Sequence, residues 1–165
     1  MAQDDEKRAL TDPALQAPTA SDDGTEAARD RLNRAGLRPT RQRLRLAKLL
    51  FGEADRHISA EALHAEVIMA GARVSLATVY NTLRDFTEAG LLREVAMWGT
   101  RSYFDTNTSN HSHFYNEVRG DLVDIPGHEV RVSGIPDPPA GMAIGLIDVV
   151  VRLVPDRSRR QHPPS

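Results

Sequence analysis

The sequence predicts an α/β (α+β) protein with an N-terminal winged helix-turn-helix domain followed by a small α/β dimerisation domain. Three observations lead to this class: residues 74–92 have the pattern of a recognition helix, basic residues precede them, and strand periodicity follows them. The expected organisation is a disordered acidic tail at 1–30, the winged helix at 31–105, a metal-site hinge with the dimerisation domain at 106–155, and a flexible basic tail at 156–165.

Composition narrows the classes of protein that this chain can represent. The 165 residues include no cysteine, which excludes disulfides, cysteine-based zinc sites and thiolate catalysis. No apolar stretch approaches the ~20 residues needed to span a bilayer, and the N-terminus lacks the order of a secretion signal. We therefore expect a cytoplasmic protein without a membrane partner. The first thirty residues hold eight acidic and three basic side chains with few large apolar groups, which predicts disorder.

A basic segment opens the predicted winged helix. Residues 31–48 include seven arginines or lysines and no acid. Such charges favour duplex DNA because they displace its counterions, although a solvated helix face is the ordinary alternative. Within this segment Thr40 is the predicted cap of a first helix. The residues expected to face inward are Leu44, Ala47, Leu50 and Phe51.

Two further helices follow. Ser59 is the predicted cap of the second, in which Leu63 and Val67 are buried and which Gly71 ends. Ser75 caps the third, whose inner face has the i, i+3, i+7, i+10 spacing of a buried stripe. That stripe is Leu76, Val79, Leu83 and Phe86. The opposite face is polar and suits base edges and phosphates, as a recognition helix in a major groove requires.

A hairpin is predicted after the recognition helix. Leu92–Met97 and Arg101–Phe104 read as strands, with Trp98-Gly99-Thr100 between them, which is the wing of a winged helix. Arg101 then lies beside the wing tip. Arginines suit phosphates, whereas an asparagine can pair bidentately with adenine. The candidate DNA-contacting residues are Arg38, Arg41, Ser75, Thr78, Tyr80, Asn81, Arg84 and Arg101.

The second half differs in kind from the first. Asn107–Asn110 is a polar linker, and Asp121–Ile125 and Val130–Val132 read as short strands. Residues 147–154 form a near-continuous apolar run that so small a domain cannot bury unaided. Pairing with a second copy of the chain would bury it, which predicts a homodimer. A buried central strand of a monomeric sheet is the alternative.

Histidines and carboxylates form a candidate metal site. His111 and His113 are two residues apart in an extended segment, so both imidazoles point to one side. Asp105 ends the wing strand, Asp124 lies in a later strand, and His57 is expected to open the second helix. Three imidazoles and two carboxylates suit Zn(II), Fe(II) or Mn(II). Solvated loop histidines are the ordinary alternative, and haem ligation by His111 and His113 is another.

Several strings resemble the ferric uptake regulator (Fur) family, and most nearly its iron response regulator (Irr) branch. They are Gly36–Leu44, Arg56–Leu63, Ser75–Tyr80, Glu88–Leu92, Tyr103–Asn107, Leu122–Pro126 and Asp148–Leu153. The resemblance covers about residues 31–154 and is most specific through the winged helix.

The resemblance implies a dimeric, metal-dependent transcription factor rather than an enzyme. It implies an iron- or haem-linked repressor that controls iron-homeostasis and haem-biosynthesis genes at AT-rich, roughly palindromic operators. Family contact positions for DNA fall on Arg38, Tyr80, Asn81 and Arg101. The family's regulatory metal lies at the hinge between the two domains. Its ligand positions fall on His57, Asp105, His111, His113 and Asp124.

Departures from the family pattern limit these implications. The paired Cys-x-x-Cys zinc motifs and the Cys-Pro haem motif are absent, so the dimer must depend on packing alone. Ser112 interrupts the three-histidine run of Irr-like proteins, and with Asn110 it leaves no ligands for a second metal site. Two other functions remain open: a metal-independent winged-helix adaptor for protein partners, and a small metallohydrolase, which no His-Glu-x-x-His motif supports.

Overall fold

The computed structural model describes residues 20–52, 54–97 and 102–156 of the chain. Four helices lie in the first half: α1 (Ala20–Arg34), α2 (Arg41–Leu50), α3 (Ala60–Met69) and α4 (Leu76–Glu88). Six strands complete the fold: β1 (His57–Ser59), β2 (Arg93–Ala96), β3 (Ser102–Asp105), β4 (Ser112–Asn116), β5 (Asp121–Ile125) and β6 (Val150–Leu153). None of the helices in these ranges is long and apolar enough to cross a membrane.

Side-chain caps set where three of the helices begin. Thr40, Ser59 and Ser75 have extended backbone conformations, and each accepts a hydrogen bond from the backbone N–H three residues later. These bonds satisfy amide groups that have no partner within the first turn of a helix. The three predicted caps are therefore confirmed.

The helix α1 corrects the expected extent of the acidic tail. Residues 1–30 were expected to be disordered, yet the chain is helical from Ala20. Ala28 and Leu32, one helical turn apart, are 5% and 0% exposed, because this face of α1 packs on α2. Arg31 adds a cation–π contact, with its guanidinium carbon 4.5 Å from the ring centre of Phe51. Residues 1–19 and 157–165, which include most of both predicted tails, lie outside the described residues.

One continuous apolar core holds the helices together. Val79, Leu83 and Phe86 of α4 are fully buried in it, as predicted, but Leu76 is 36% exposed. Leu76 is the first residue of the helix and extends past the end of the core, so its predicted burial is wrong. Thr82 occupies the buried face instead, where its hydroxyl donates to the carbonyl of Thr78 at 2.9 Å.

The two strands of the predicted wing hairpin, β2 and β3, form a three-stranded antiparallel sheet with β1, in which β3 is central and the order is β1-β3-β2. The tip of the hairpin, at 98–101, lies outside the described residues, and Arg101 with it. His57 does not open a helix as predicted: it lies in β1 and pairs with Asp105 of β3. The helix α3 begins only after the cap at Ser59, because residues 57–59 continue the sheet.

The second half forms another three-stranded sheet with the order β5-β4-β6. The strand β4 pairs antiparallel with β5 and parallel with β6. The predicted strand at Asp121–Ile125 is confirmed as β5, whereas Val130–Val132 is not a strand. In the described part of the chain no strand pairs with that segment, so it has no hydrogen-bonded ladder. Of the apolar run 147–154, Val150–Leu153 enters the sheet as β6.

A small apolar cluster joins the two sheets. Val95 and Tyr103 of the wing strands pack against Leu122 of β5, with Tyr115 and Val150 at the margin. The Tyr103 hydroxyl also donates to the carbonyl of Gly120 at 2.5 Å. The ends of β3 and β4 are thereby brought close together, which positions the site described next.

Candidate metal centre and DNA-contacting face

The five predicted ligand residues converge at the junction of the two sheets. One ligand atom from each side chain lies within 4.8 Å of all the others. Two cross-strand pairs create this arrangement: His57 lies opposite Asp105, and His113 lies opposite Asp124. Directly opposed residues in a sheet have neighbouring side chains, and His111 shares a side with His113 two residues later. Each sheet therefore contributes one imidazole–carboxylate pair.

Distances within the cluster match those between ligands of one ion. The His57 Nε2 atom is 2.8 Å from Asp124 Oδ1 and 3.4 Å from Asp105 Oδ2. The Nε2 atoms of His111 and His113 lie 3.0 Å and 3.3 Å from Asp105 Oδ2. Metal–ligand bonds of about 2.0–2.2 Å place adjacent donor atoms roughly 3 Å apart. The donor set thus fits a divalent Zn, Fe or Mn ion.

Unsatisfied polar atoms are a second indication of a cation site. In the described part of the chain, His57 Nε2, His111 Nε2 and Asp124 Oδ1 are buried and make no hydrogen bond. They approach one another closely, but the ring N–H directions miss hydrogen-bond geometry, so proximity alone is not pairing. Buried polar atoms almost always have a partner. A shared ion would satisfy all three atoms at once.

The local electrostatics keep negative charge at this junction. Burial opposes ionisation of Asp105, but the hydrogen bond from His113 and the nearby imidazole of His57 outweigh it and hold the pKa of the Asp105 carboxyl well below its usual range. Burial likewise opposes protonation of His57, yet its contacts with Asp105 and Asp124 raise the pKa of the imidazole. Asp105 is therefore a carboxylate at neutral pH, which suits a cation.

Haem does not fit the same histidines. His111 and His113 are 6% and 0% exposed, and both Nε2 atoms face the carboxylate of Asp105. Axial haem ligation would require an imidazole nitrogen facing open space for the macrocycle. The Nδ1–H of His111 donates to the carbonyl of Ser109 at 2.9 Å, which leaves Nε2 with the lone pair that a metal ion needs.

An arginine that the sequence analysis did not single out connects the wing to the segment that carries His111. Arg93 of β2 is 9% exposed, and its Nη1 donates to the carbonyls of Ser109 and His111 at 3.2 Å each. Its Nη2 forms an ion pair with Asp148, just before β6. Arg93 and Val95 share the inner face of β2, and a charged residue at an inner position of a strand requires partners. The alternation of inward and outward positions along β2 could have identified Arg93 as a buried residue.

The candidate DNA-contacting residues have mixed environments. Arg38 and Arg41 are exposed near the start of α2, and Tyr80, Asn81 and Arg84 are exposed on α4. The hydroxyl of Tyr80 donates to Glu61 Oε1 at 2.5 Å.

Two of the candidate DNA-contacting residues and one arginine of the basic segment make structural contacts within the protein. Ser75 is occupied as the cap of α4, and Thr78 is half-buried beside it. Arg43, counted in the basic segment, turns away from solvent and pairs with Asp85 at 2.7 Å, which links α2 to α4. It therefore holds the recognition helix in place.

Comparisons with known proteins match this chain to a family of bacterial regulators. Residues 34–134 match the sequence profile described as the ferric uptake regulator family. The peroxide-responsive repressor PerR of Staphylococcus epidermidis is 34% identical over 94 residues, which are 57% of this chain and 62% of that protein. The matched region therefore spans less than two thirds of this curated relative.

Solved structures share the fold. The ferric uptake regulator of Pseudomonas aeruginosa, determined with manganese, superposes with a TM-score of 0.58 at 26% identity, over 76% of this chain and 96% of that one. The regulator of Vibrio cholerae gives a TM-score of 0.58 at 24% identity, over 75% and 96%. The predicted fold class is confirmed: a winged-helix domain followed by a small α/β domain.

Proposed function

This chain belongs to the ferric uptake regulator family, and on that premise we propose that it is a metal-responsive transcriptional regulator that binds double-stranded DNA as a homodimer. Members of this family regulate transcription and are not enzymes. The observation that carries the proposal is the cluster of five ligand side chains at the junction of the two sheets. The ion is a divalent metal, Fe, Mn or Zn, as the imidazole and carboxylate donors require.

The ligands divide between the two halves of the chain, which explains how metal and DNA binding are coupled. His57 and Asp105 belong to the wing sheet, whereas His113 and Asp124 belong to the second sheet. A bound divalent ion supplies positive charge and bonds that join the two pairs. The closed joint fixes the angle between domains, and in a dimer that angle sets the distance between two recognition helices. Half-sites one helical turn apart require about 34–36 Å between them.

We assign the contacts to DNA from the exposed side chains of the described residues, and Arg101 from its position in the sequence. Arg38, Arg41, Arg84 and Arg101 contact phosphates, while Tyr80 and Asn81 face base edges in an AT-rich, roughly palindromic operator. Ser75 and Thr78 form the N-terminal turn of α4, where a helix end favours a phosphate. A regulator must reach the chromosome, so we place its action in the cytoplasm.

The proposal also concerns which genes the protein regulates and which signal it detects. Resemblance to the iron response branch favours genes of iron homeostasis and haem biosynthesis, with metal occupancy as the stimulus. A second candidate is a peroxide-responsive repressor, which the 34% identity to the staphylococcal protein of that name favours. The two candidates share the metal centre and differ in what releases the protein from DNA.

A gel-shift titration tests the proposal and separates the candidates. The full chain is mixed with an AT-rich palindromic duplex as the metal-free form and with Mn(II), Fe(II) or Zn(II), and the Fe(II) form is then treated with hydrogen peroxide. We expect DNA affinity to depend on metal. Loss of binding after peroxide supports the second candidate, and persistence supports the first.

Variants of the ligand residues test the metal centre itself. We expect His111→Ala and His113→Ala to abolish the metal dependence. The matched control is His128→Ala, because His128 is exposed and outside the cluster. An unchanged metal response in the His111→Ala and His113→Ala variants contradicts the proposed centre. A salt-insensitive protein that never shifts duplex DNA contradicts the whole function and favours the adaptor.

A further inference from the structure

We propose that Asn107 is the positioning residue that holds both carboxylate ligands of the metal centre in one orientation, an inference that rests on the proposed metal-binding function. Its backbone N–H donates to Asp105 Oδ1 at 2.8 Å. Its side-chain Nδ2 donates to Asp124 Oδ2 at 3.1 Å. One residue therefore occupies the outer oxygen of each carboxylate. The inner oxygens, Asp105 Oδ2 and Asp124 Oδ1, face the imidazoles.

The direction of the Asn107 amide follows from its other contacts. The Oδ1 atom accepts from the Ser109 backbone N–H at 3.1 Å and from the Ser109 hydroxyl at 2.6 Å. A backbone N–H can only donate, so this end of the amide is the oxygen and the NH₂ group faces Asp124. The carbonyl of Ser109 in turn accepts from His111 Nδ1. A single turn over residues 107–109 thus orients three of the five ligands.

This network has a consequence for coordination. A carboxylate whose outer oxygen accepts a hydrogen bond would favour binding an ion through its inner oxygen, so the cluster would offer three nitrogens and two single oxygens. Hydrogen-bonded partners behind ligands also reduce the conformational freedom that metal binding must remove. Asp105 ends β3 in the wing sheet, whereas Asp124 lies in the second sheet. Asn107 therefore preorganises the centre across the joint between the two halves.

The test compares Asn107→Leu with Asn110→Leu in the full chain. Both positions carry asparagine in the same linker, but Asn110 is exposed and its side chain makes no described contact with the ligands. Affinities for Mn(II) and Zn(II) are measured by calorimetry, and Co(II) absorption spectra report the coordination geometry. We expect Asn107→Leu to lower affinity about 10–100-fold and to change the Co(II) spectrum, and Asn110→Leu to leave both unchanged.

A double-mutant cycle with Asp124→Ala separates positioning from general damage. If Asn107 acts through Asp124, its replacement costs much less affinity when Asp124 is already absent. Asn107→Ser, a smaller change, serves the same purpose if the leucine variant does not fold. Equal affinity and equal spectra for the wild type and Asn107→Leu, or fully additive losses in the cycle, overturn this inference alone. A wild-type chain that binds no metal overturns the proposed function together with it.

Discussion

The two halves of the molecule differ in how much of their apolar surface they bury. Sixteen buried residues from α1 to β3 form one core in the winged-helix half. Of the described residues after 105, only Leu122 and Ile125 are buried apolar side chains, while eleven large apolar residues are exposed. The first half folds around its own core. The second half exposes an apolar surface of the kind that marks an interface, which is what a homodimer would cover.

The metal centre lies on the boundary between these halves. Its wing-sheet ligands are attached to a packed core, but its other ligands belong to strands with little core beneath them. Metal binding and pairing with a second copy should therefore both stabilise the second half more than the first.

The largest effect is expected in the self-sufficient core. Leu83 and Leu76 lie on the same helix, but Leu83 is fully buried and Leu76 is 36% exposed. We expect Leu83→Ala to lower the free energy of unfolding by about 2–5 kcal/mol, because it removes buried methyl groups and leaves a cavity. The control Leu76→Ala should cost less than about 1 kcal/mol. Urea denaturation of the metal-free chain measures both, and equal losses would contradict the described core.

The second effect concerns the exposed apolar surface. Val151 and Leu153 are two residues apart on β6, an edge strand, and are 39% and 40% exposed. We expect the double variant Val151→Asp/Leu153→Asp to weaken the dimer by about 2 kcal/mol, roughly 30-fold in dissociation constant, because charge replaces interface contacts. Sedimentation equilibrium measures it. Val118→Asp, in the turn between β4 and β5, is the control, and an unchanged dissociation constant for the double variant would exclude β6 from the interface.

Much of the winged-helix half could be predicted because its determinants are local. Thr40, Ser59 and Ser75 precede helices as caps, and the spacing of Val79, Leu83 and Phe86 reports the buried face directly. The five ligand residues were identified from residue type and family resemblance, and their convergence depends on strand register. Their roles remain part of the proposal.

The errors lie where non-local contacts decide. His57 lies two residues before a capping serine, which favours a helix start, but it pairs with Asp105 of β3 and is therefore in a strand. Ala28 lies in the acidic segment and Leu32 at the start of the basic one, and their burial depends on packing against α2. Val130–Val132 has strand-forming residues but no partner strand. Asn107 and Arg93 belong to no recognisable sequence motif. Their roles depend on the oxygen atoms to which they donate hydrogen bonds in the folded chain.

The smallest effect is expected at the joint between the halves. Arg93→Met keeps side-chain length but removes the donors to the carbonyls of Ser109 and His111, and the ion pair with Asp148. The segment that carries His111 then loses its attachment to the wing. Part of the free energy of metal binding must therefore order this segment. We expect affinity for Mn(II) to fall about tenfold, about 1.4 kcal/mol, by calorimetry.

Arg119→Met is the matched control for that prediction, because Arg119 is exposed in the turn between β4 and β5 and its ion pair in the described part of the chain is with Asp121, which is not a ligand. Surface ion pairs of this kind contribute about 0–1 kcal/mol to stability, and the described hydrogen bonds of the Arg119 guanidinium do not include a metal ligand. If Arg93→Met binds Mn(II) like Arg119→Met, the two halves communicate without this arginine. Metal binding would then reach the wing through the five ligands and through the apolar cluster around Tyr103 that joins the two sheets.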